Sequence, residues 1–223
     1  MLANHPEVLV NPHAGDAFPM GVVGQIGSGK TFLVLTLIKM NWKYKFDVIV
    51  WISPTYALQA HQMRGILPDG KGIVVFDTFS IEILEIIVEH QIRRNLKREE
   101  EKKRPERMLL ILDDNGQTAR KTMQGDELDK ILNTCRHRKI TIVQLAQRYT
   151  QLSPTLRQNC RYLLLFAEAN PLERRLLYSF HGFGERNWFL NVMDQHTKER
   201  YSFIGIETYA GHSRFFNKYG YLQ

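Results

Sequence analysis

The sequence has little cysteine and no long apolar run. Only two of its 223 residues are cysteines, Cys135 and Cys160, and neither belongs to a CxxC pair or a Cys/His ligand set. We therefore expect no disulfide framework and no structural zinc site, which fits a reducing, intracellular setting. No apolar run approaches the roughly 18 residues that a transmembrane helix needs. Residues 1–16 lack the basic cluster and apolar stretch of a signal peptide, so secretion is not expected.

Other familiar motifs are absent from the sequence as well. The eight histidines show no HExxH or paired ligand spacing, and no G-x-S-x-G marks a hydrolase nucleophile. Internal repeats are missing, as are linkers rich in proline, glycine or serine. We therefore predict one domain over residues 1–223, with a core of about 18–188 and an extension of about 189–223 whose role the sequence does not indicate.

Basic residues are in excess. The formal net charge is +7, which favours binding to a polyanion such as a nucleic acid. Residues 93–107 supply much of this excess, with eight basic and four acidic side chains. The segment is either a solvated helix end with pairs such as Glu99 and Lys103, or a basic loop that contacts DNA. We favour the first interpretation because the mixed signs weaken the local field.

Apolar segments alternate with helical patterns along the chain. The predicted buried strands are residues 18–23, 47–52, 73–76, 108–112, 140–145 and 162–166. The predicted helices are residues 31–42, 80–98, 126–136 and 153–159. Strands that are apolar throughout and alternate with helices indicate an α/β fold, with a mostly parallel central sheet flanked by helices on both faces. The aromatic tail, residues 201–221, is predicted to add one or two strands with a turn at Ala210 and Gly211.

A glycine-rich turn between the first predicted strand and the first predicted helix carries the strongest motif, which we call the P-loop. It matches the pattern G-x-x-x-x-G-K-[ST] without a departure. Backbone N–H groups of such a loop surround the phosphates of a nucleotide, and the following helix adds its dipole. The lysine reaches the β- and γ-phosphates, and the threonine hydroxyl ligates Mg²⁺. The predicted ATP-binding residues are Gly24, Gln25, Ile26, Gly27, Ser28, Gly29, Lys30 and Thr31.

Two acidic residues, Asp113 and Asp114, follow the apolar segment 108–112. A carboxylate at the end of that strand can hold Mg²⁺ beside the P-loop threonine. We therefore predict that Thr31 and Asp113 bind the metal. Asp114 is predicted to orient or deprotonate the attacking water, with a helix-cap or supporting role as the alternative.

An amide is expected near the tip of the predicted strand 140–145. This strand should lie between the strands that carry the P-loop and Asp113, where an amide can contact both the γ-phosphate and the water. We predict this role for Gln147, and Gln144 competes with it for the position.

A cluster of basic residues precedes the same strand. Cations at the end of a helix complement its dipole, which is the structural interpretation. The functional interpretation is an arginine finger that reaches the γ-phosphate in a neighbouring subunit. Spacing to the strand favours Arg136 as the finger, and its rivals are Arg138, Arg148 and Arg157.

Taken in order, the motifs GQIGSGKT, LLILDD and CRHRKITIVQLAQRYTQLSPTLRQNCRYLLLF resemble those of the viral genome-packaging ATPases of the poxvirus A32-like type. These proteins belong to the FtsK–HerA branch of P-loop motors, found in large DNA viruses, virophages and related elements. The resemblance runs from about residue 18 to about residue 188, and residues 136–166 are its most characteristic part. It implies the RecA-like (ASCE) form of the P-loop NTPase fold.

The resemblance also implies an activity and its partners. The implied protein is a magnesium-dependent ATP hydrolase that pumps double-stranded DNA of any sequence into a preformed capsid. It would act as a homo-oligomeric ring, hexameric or pentameric, together with a capsid or portal-vertex protein. The catalytic roles of Lys30, Asp114, Gln147 and Arg136 follow the same family pattern. The implied location is the virus assembly site inside an infected host cell, with association with the virion as an additional expectation.

Two other functions stay open at this point. A small nucleotide or nucleoside kinase shares the P-loop and would use residues 93–107 as an arginine-rich lid. Against it, Gln147 and the paired Asp113 and Asp114 favour water over a bound acceptor. The other alternative is a nucleotide-gated module that binds DNA or a capsid with little turnover, which requires a badly placed Asp114.

Overall fold

The computed structural model of the protein describes residues 10, 17–42, 44–55, 73–113, 126–182, 184–209 and 212–222. The strands are β1 (Pro19–Val23), β2 (Val48–Ile52), β3 (Ile73–Phe76), β4 (Met108–Asp113), β5 (Ile140–Ala146), β6 (Tyr162–Leu165), β7 (Ile204–Tyr209), β8 (His212–Asn217) and β9 (Gly220–Tyr221). The α-helices are α1 (Lys30–Leu37), α2 (Ile81–Glu100), α3 (Asp126–Thr134), α4 (Pro154–Asn159), α5 (Pro171–His181) and α6 (Arg186–Thr197). A π-helical turn (Ile38–Trp42) extends α1, and a 3₁₀ turn (Tyr149–Gln151) follows β5.

All these strands belong to one sheet, in the order β3-β2-β4-β5-β1-β6-β7-β8-β9. Strands β1 to β6 are parallel, and β7, β8 and β9 add antiparallel strands beside β6. Strand β5 lies between β4 and β1, as the sequence predicted. The predicted α/β fold with a mostly parallel central sheet is therefore confirmed.

The parallel strands give the sheet two functionally different edges. The carboxyl edge is where β1, β4 and β5 end, at Val23, Asp113 and Ala146. Val23 is paired with Ala146, and Asp113 lies opposite the preceding residue of β5, so the three ends are level with one another. The amino edge is the opposite one, where the same strands begin. Ligands of open α/β sheets bind at the carboxyl edge, so the site is expected there.

Both faces of the central parallel strands are buried because helices cover both of them, whereas Val74 of the outermost strand β3 is 45% exposed. Helices α2 to α6 pack against one face, with apolar side chains such as Leu84, Ile131, Leu156, Leu177 and Phe189. Helix α1 and its π turn cover the other face, with side chains such as Val34, Leu37 and Trp42. Strand β4 is buried at every position, which explains its uninterrupted apolar sequence.

The first helix differs from its predicted form. The sequence predicted one helix over residues 31–42, whereas α geometry ends at Leu37 and a π turn (Ile38–Trp42) follows. The turn keeps Ile38 and Trp42 buried against the sheet. The apolar pattern therefore continues although the helix type changes, and the pattern alone does not distinguish the two geometries.

The C-terminal part holds more structure than the sequence predicted. Helices α5 and α6 were not predicted, and the tail forms three strands where one or two were expected. The predicted turn at Ala210 and Gly211 lies outside the described residues. Helix α5 begins at a strong local signal, because Asn170 Oδ1 accepts hydrogen bonds from the N–H groups of Leu172 and Glu173, at 2.9 and 3.5 Å, and Pro171 occupies the first turn.

The two cysteines are buried free thiols. Burial raises the pKa of Cys135 to about 11 and that of Cys160 to about 12. Both thiols therefore stay protonated near neutral pH, and a protonated thiol is a poor nucleophile. Among the helices of the described ranges, none combines the length and the apolar character that crossing a membrane would require.

We predict that burial of the neutral His181 ring makes the fold less stable in acid. The ring is 7% exposed, its Nε2 lies 2.9 Å from the Tyr149 hydroxyl, and burial lowers its pKa to about 4. The unfolded chain takes up a proton near pH 6.5 but the folded chain does not, so the free energy of unfolding should fall between about pH 7 and pH 4, by up to about 3 kcal/mol. Chemical denaturation at several pH values measures this.

A matched pair of variants isolates the effect of His181. His181→Gln cannot take up a proton, so its free energy of unfolding should vary less with pH over the same interval. His137→Gln removes an exposed histidine and should keep the pH dependence of the unchanged protein. Equal pH dependence in all three proteins would show that His181 does not contribute.

Candidate nucleotide-binding site

The P-loop joins β1 to α1 at the carboxyl edge. The Gly24 N–H donates to the Ala146 carbonyl of β5 at 3.1 Å, so the loop starts against the tip of that strand. A Cβ on Gly24 would lie 2.6 Å from Ser28 Oγ and 2.7 Å from Phe166 Cβ, which leaves no room for a side chain. Gly29, at the start of α1, has a φ of 101°, in the left-handed region that favours glycine. Close packing at Gly24 and the backbone conformation at Gly29 therefore each favour glycine.

Lys30 lies folded back across the P-loop. Its Nζ donates to the carbonyls of Gly24 and Gln25, at 2.6 and 3.1 Å, and the residue is 8% exposed. An ammonium group is strongly hydrated in water, so burying it needs compensating oxygen contacts of this kind. The same position puts the cation at the hollow that the loop encloses, where it can exchange these carbonyls for phosphate oxygens.

The hollow of the P-loop fits a phosphate chain. Ser28 Oγ is buried without a hydrogen-bond partner, and such a hydroxyl is rare unless a ligand or water satisfies it. The space at Gly27 is open, because no atom lies within 4 Å of where a Cβ would stand. An anion in the hollow also faces the N–H groups of the first turn of α1, which have no partner within the helix.

Thr31 and Asp113 meet beside the P-loop. Thr31 Oγ1 donates to Asp113 Oδ2 at 3.3 Å, and Asp113 is 1% exposed at the end of β4. Within the described ranges, no three acidic, histidine or cysteine side chains are close enough to hold a metal alone. Mg²⁺ does not need such a cluster, because it keeps several waters and shares its remaining positions with nucleotide phosphates. The two oxygens therefore fit a magnesium site that a nucleotide completes.

Gln147 and Gln144 have different surroundings. Gln147 follows the end of β5 at the carboxyl edge and is partly exposed next to the start of the P-loop. Gln144 is buried; its side chain donates to the Gln151 carbonyl at 3.3 Å and accepts from the Ser153 N–H at 3.4 Å. Gln144 thus supports the turn that follows β5, which leaves Gln147 as the glutamine beside the nucleotide site. Its sensing role stays a prediction.

Gln151, which was not predicted from the sequence, fixes the backbone at this tip. Its Oε1 accepts hydrogen bonds from the N–H groups of Gln147 and Arg148, at 2.9 and 3.1 Å. Helix α5 anchors the same turn, because the N–H and hydroxyl of Thr150 donate to Glu173 at 3.0 and 2.7 Å. A glutamine four residues after another is no signal in a single sequence, so this positioning role becomes visible only in the fold.

We predict that Gln151→Ala lowers kcat for ATP hydrolysis roughly tenfold and leaves KM for ATP unchanged, because Gln147 loses its fixed position while the P-loop stays intact. Gln151→Glu keeps an acceptor for both N–H groups and should restore most of the rate. Gln158→Ala, at an exposed position of α4, is the control and should behave like the unchanged protein. A higher KM with an unchanged kcat would contradict the positioning role.

Three of the four candidate arginine fingers are divided between the amino edge and the carboxyl edge of the sheet. Arg136 and Arg138 occupy the turn between α3 and β5, at the amino edge. The length of β5, seven residues, separates them from their own P-loop by roughly 20 Å. Arg148 is exposed at the carboxyl edge, directly after Gln147. The structure therefore does not bring Arg136 to the nucleotide site of its own chain.

The fourth candidate, Arg157, is engaged inside the chain. Its guanidinium lies over the rings of Tyr149 and Phe180, at 5.6 and 5.7 Å from their centroids. Stacking of this kind stabilises the packing of the 3₁₀ turn against α5. These contacts give Arg157 a structural role within its own chain, and its candidacy as the finger stays a prediction.

Residues 93–107 form the end of α2 and the connection to β4. Most of their cations are paired with acidic side chains, some of them outside this segment. The pairs are Arg93 with Glu89, Arg94 and Arg98 with Glu106, Lys103 with Glu101, and Arg104 with Asp47. These contacts agree with the interpretation as a solvated helix end. The connection enters β4 at the amino edge, so it does not form a lid over the P-loop of its own chain.

Asp114, the predicted general base, lies outside the described residues. Its role therefore stays a prediction. The structure brings together the P-loop, Thr31, Asp113 and Gln147, and it separates Arg136 from them.

Comparison with solved structures identifies proteins with a similar fold. The genome packaging NTPase B204 from Sulfolobus turreted icosahedral virus 2, solved with AMPPCP, is similar with a TM-score of 0.61 at 16% identity; the match covers 92% of this chain and 98% of B204. The pCW3 conjugation coupling protein TcpA, in its monomer form with ATPγS, gives a TM-score of 0.59 at 11% identity, over 92% of this chain and 61% of TcpA. Both likenesses concern the fold.

Sequence comparison shows which protein family the chain belongs to. No curated protein sequence matches the chain. The family described as Poxvirus A32 protein matches residues 11–209, which is most of the chain and includes the P-loop, Asp113 and Gln147. This protein therefore belongs to the poxvirus A32 protein family.

Proposed function

We propose that this protein is a motor ATPase that uses ATP hydrolysis to move double-stranded viral DNA into a capsid. The observation that carries the proposal is the 3.3 Å contact between Thr31 Oγ1 and Asp113 Oδ2 beside a complete P-loop. It brings together two motifs that lie 82 residues apart, which supports a shared site for a nucleotide and a metal. Further support comes from the family assignment and from the likeness to B204, a genome packaging NTPase solved with ATP analogues.

The proposed chemistry assigns one task to each group. Lys30 and the N–H groups of the P-loop hold the β- and γ-phosphates, and Thr31 and Asp113 hold Mg²⁺, which offsets the charge that develops during transfer. Gln147 contacts the γ-phosphate and the attacking water, and Asp114 orients or deprotonates that water. The acceptor is water, which makes the reaction a hydrolysis.

Identical subunits in a ring, hexameric or pentameric, are proposed to complete one another's sites. Arg136 is exposed at the amino edge, away from its own P-loop, so its guanidinium is available to the site of a neighbouring chain. If the arginine of a neighbouring subunit completes the site, hydrolysis depends on how the two subunits are positioned relative to each other. Product release can then shift one subunit against the next.

The proposed partners are double-stranded DNA and a capsid or portal-vertex protein. A motor that packages any sequence must hold DNA by its phosphates, and the net charge of +7 supports such contacts. The proposed location is the virus assembly site of an infected cell, with part of the protein associated with the virion.

ATP hydrolysis with and without double-stranded DNA tests the proposal. We expect DNA to accelerate hydrolysis, the effect to weaken as salt rises, and the rate per subunit to increase with protein concentration. An ATP hydrolysis rate that does not change when DNA is added, and that is strictly proportional to protein concentration, would contradict a DNA motor. Phosphoryl transfer to nucleosides or nucleotides would identify a kinase instead, and intact ATP binding with almost no single-turnover hydrolysis would identify a nucleotide-gated binding module.

A further inference from the structure

A tight turn before β7 lies against the P-loop. Both the N–H and the hydroxyl of Ser202 donate to the Glu199 carbonyl, at 3.1 and 2.6 Å, which closes a four-residue turn around Arg200 and Tyr201. The turn leads into β7, whose first residue pairs with the last residue of β6 at the carboxyl edge. It therefore stands at the same edge as the nucleotide site, on the side of β6 and β7.

The backbone of this turn is unusual for the residue it carries. Tyr201 has a φ of 66°, a left-handed conformation at the third position of the turn, where glycine or asparagine is favoured. Strained positions of this kind persist when the surroundings need the particular side chain, and they cluster at ligand sites. Something other than the turn therefore explains why a tyrosine stands here.

The Tyr201 side chain is directed at the P-loop. Its Cδ1 lies 3.1 Å from the point where a Cβ on Gly29 would stand, so the ring covers the glycine that immediately precedes α1. The Arg200 guanidinium lies 4.7 Å from the ring centroid, a stacked cation–π pair. The ring is nevertheless 55% exposed, which leaves aromatic surface open beside the phosphate hollow.

The position of the metal site sets the direction in which a nucleotide would extend. Asp113 and Gln147 follow β4 and β5, on one side of the P-loop. In the proposed ATP complex, these residues would hold the γ-phosphate and Mg²⁺ on that side. The α-phosphate and the nucleoside would then extend away from Asp113, toward β6 and β7. The Arg200–Tyr201 pair is a planar cation and an aromatic ring on that side.

We propose that the Arg200–Tyr201 pair is the platform on which the adenine base of bound ATP stacks. This inference rests on the proposed binding of ATP at the P-loop. Every base has a π face, so a platform of this kind contributes affinity for the base without reading its hydrogen-bonding edge. Stacking of the base would explain three features together: the left-handed backbone of Tyr201, its contact with Gly29 and the exposure of its aromatic ring.

Dissociation constants of Mg·ATP and of Mg·tripolyphosphate, measured by calorimetry on the full chain, test the proposal. Tyr201→Gly should weaken ATP binding roughly tenfold, because stacking on one aromatic residue typically contributes a factor of about 5 to 150. Its affinity for tripolyphosphate, which has no base, should be unchanged. Tyr201→Phe keeps the ring and should bind ATP like the unchanged protein. The thermal midpoint of Tyr201→Gly should not fall, because glycine adopts the turn without strain.

Tyr219→Gly provides a matched control. Tyr219 is also an exposed tyrosine under a cation, with Lys218 Nζ 4.9 Å from its ring, but it belongs to the turn between β8 and β9. Its removal should leave both dissociation constants unchanged.

Three outcomes would overturn the platform. Equal losses of ATP and tripolyphosphate affinity in Tyr201→Gly would mean that the ring shapes the P-loop rather than binding the base. Unchanged ATP affinity would mean that the base binds elsewhere, and the proposed hydrolysis would still stand. Failure of the unchanged protein to bind either ligand would contradict both the platform and the proposed function.

Discussion

Replacing Lys30 with alanine is expected to lower the rate of ATP hydrolysis on the order of 100- to 1,000-fold. The Lys30 ammonium lies at the hollow of the P-loop, 2.6 Å from the Gly24 carbonyl, within the loop that is proposed to hold the phosphates. Removing it takes away a fixed positive charge from the place where negative charge develops during the reaction. Phosphate release at saturating Mg·ATP, with DNA present, measures the loss.

Lys39 offers a control on the same helical segment. It is an exposed lysine in the π turn that extends α1, so Lys39→Ala should hydrolyse ATP like the unchanged protein. Thermal unfolding of both variants separates a lost catalytic group from a lost fold. If Lys30→Ala kept more than about a tenth of the rate, the P-loop would not be the catalytic site in the sense proposed.

Asp113→Asn is expected to lower the affinity for Mg²⁺ roughly 10- to 100-fold, the loss that is typical when a group that supports a metal site is changed. Asparagine has nearly the same shape as aspartate, so the packing at this buried position is preserved while its negative charge is lost. Hydrolysis at low Mg²⁺ should fall in proportion and recover in part as Mg²⁺ is raised. The rate as a function of Mg²⁺ concentration measures the change.

Asp77 supplies the matched control for Asp113. It also follows a parallel strand at the carboxyl edge, directly after β3, but it is exposed and lies at the far end of the strand order. Asp77→Asn should keep the Mg²⁺ dependence of the unchanged protein. Identical Mg²⁺ curves for Asp113→Asn and the unchanged protein would remove Asp113 from the metal site.

The parallel half of the fold was readable from the sequence because burial on both faces leaves strands with uninterrupted apolar residues. The position of β5 between β4 and β1 followed from the chemistry of the motifs, which requires their strand ends to be adjacent. Helices α5 and α6 were missed because each spans only about three turns, and in α6 the apolar Trp188, Phe189 and Leu190 follow one another directly, so no long periodic run stands out. The Asn170–Pro171 start was nevertheless present in the sequence as a helix signal.

The candidate site likewise has features that the sequence predicted and features that it did not. The P-loop glycines and the approach of Thr31 to Asp113 were predictable, because each belongs to a motif whose chemistry dictates its geometry. The contacts of Gln151 with Gln147 and of Tyr201 with the P-loop were not, because they depend on how separate segments pack. Such packing leaves no spacing pattern that one sequence can display.

Mixing two inactive variants tests the proposed ring of shared sites most directly. Lys30→Ala keeps the finger but loses the P-loop cation, and Arg136→Ala has the opposite defect. In an equal mixture, roughly a quarter of the contacts in a closed ring join an intact P-loop to an intact finger, so DNA-stimulated hydrolysis should return to about that fraction of the unchanged rate. If the mixture stays as inactive as its two components, neighbouring chains do not complete each other's sites, and the ring mechanism proposed for this protein is contradicted.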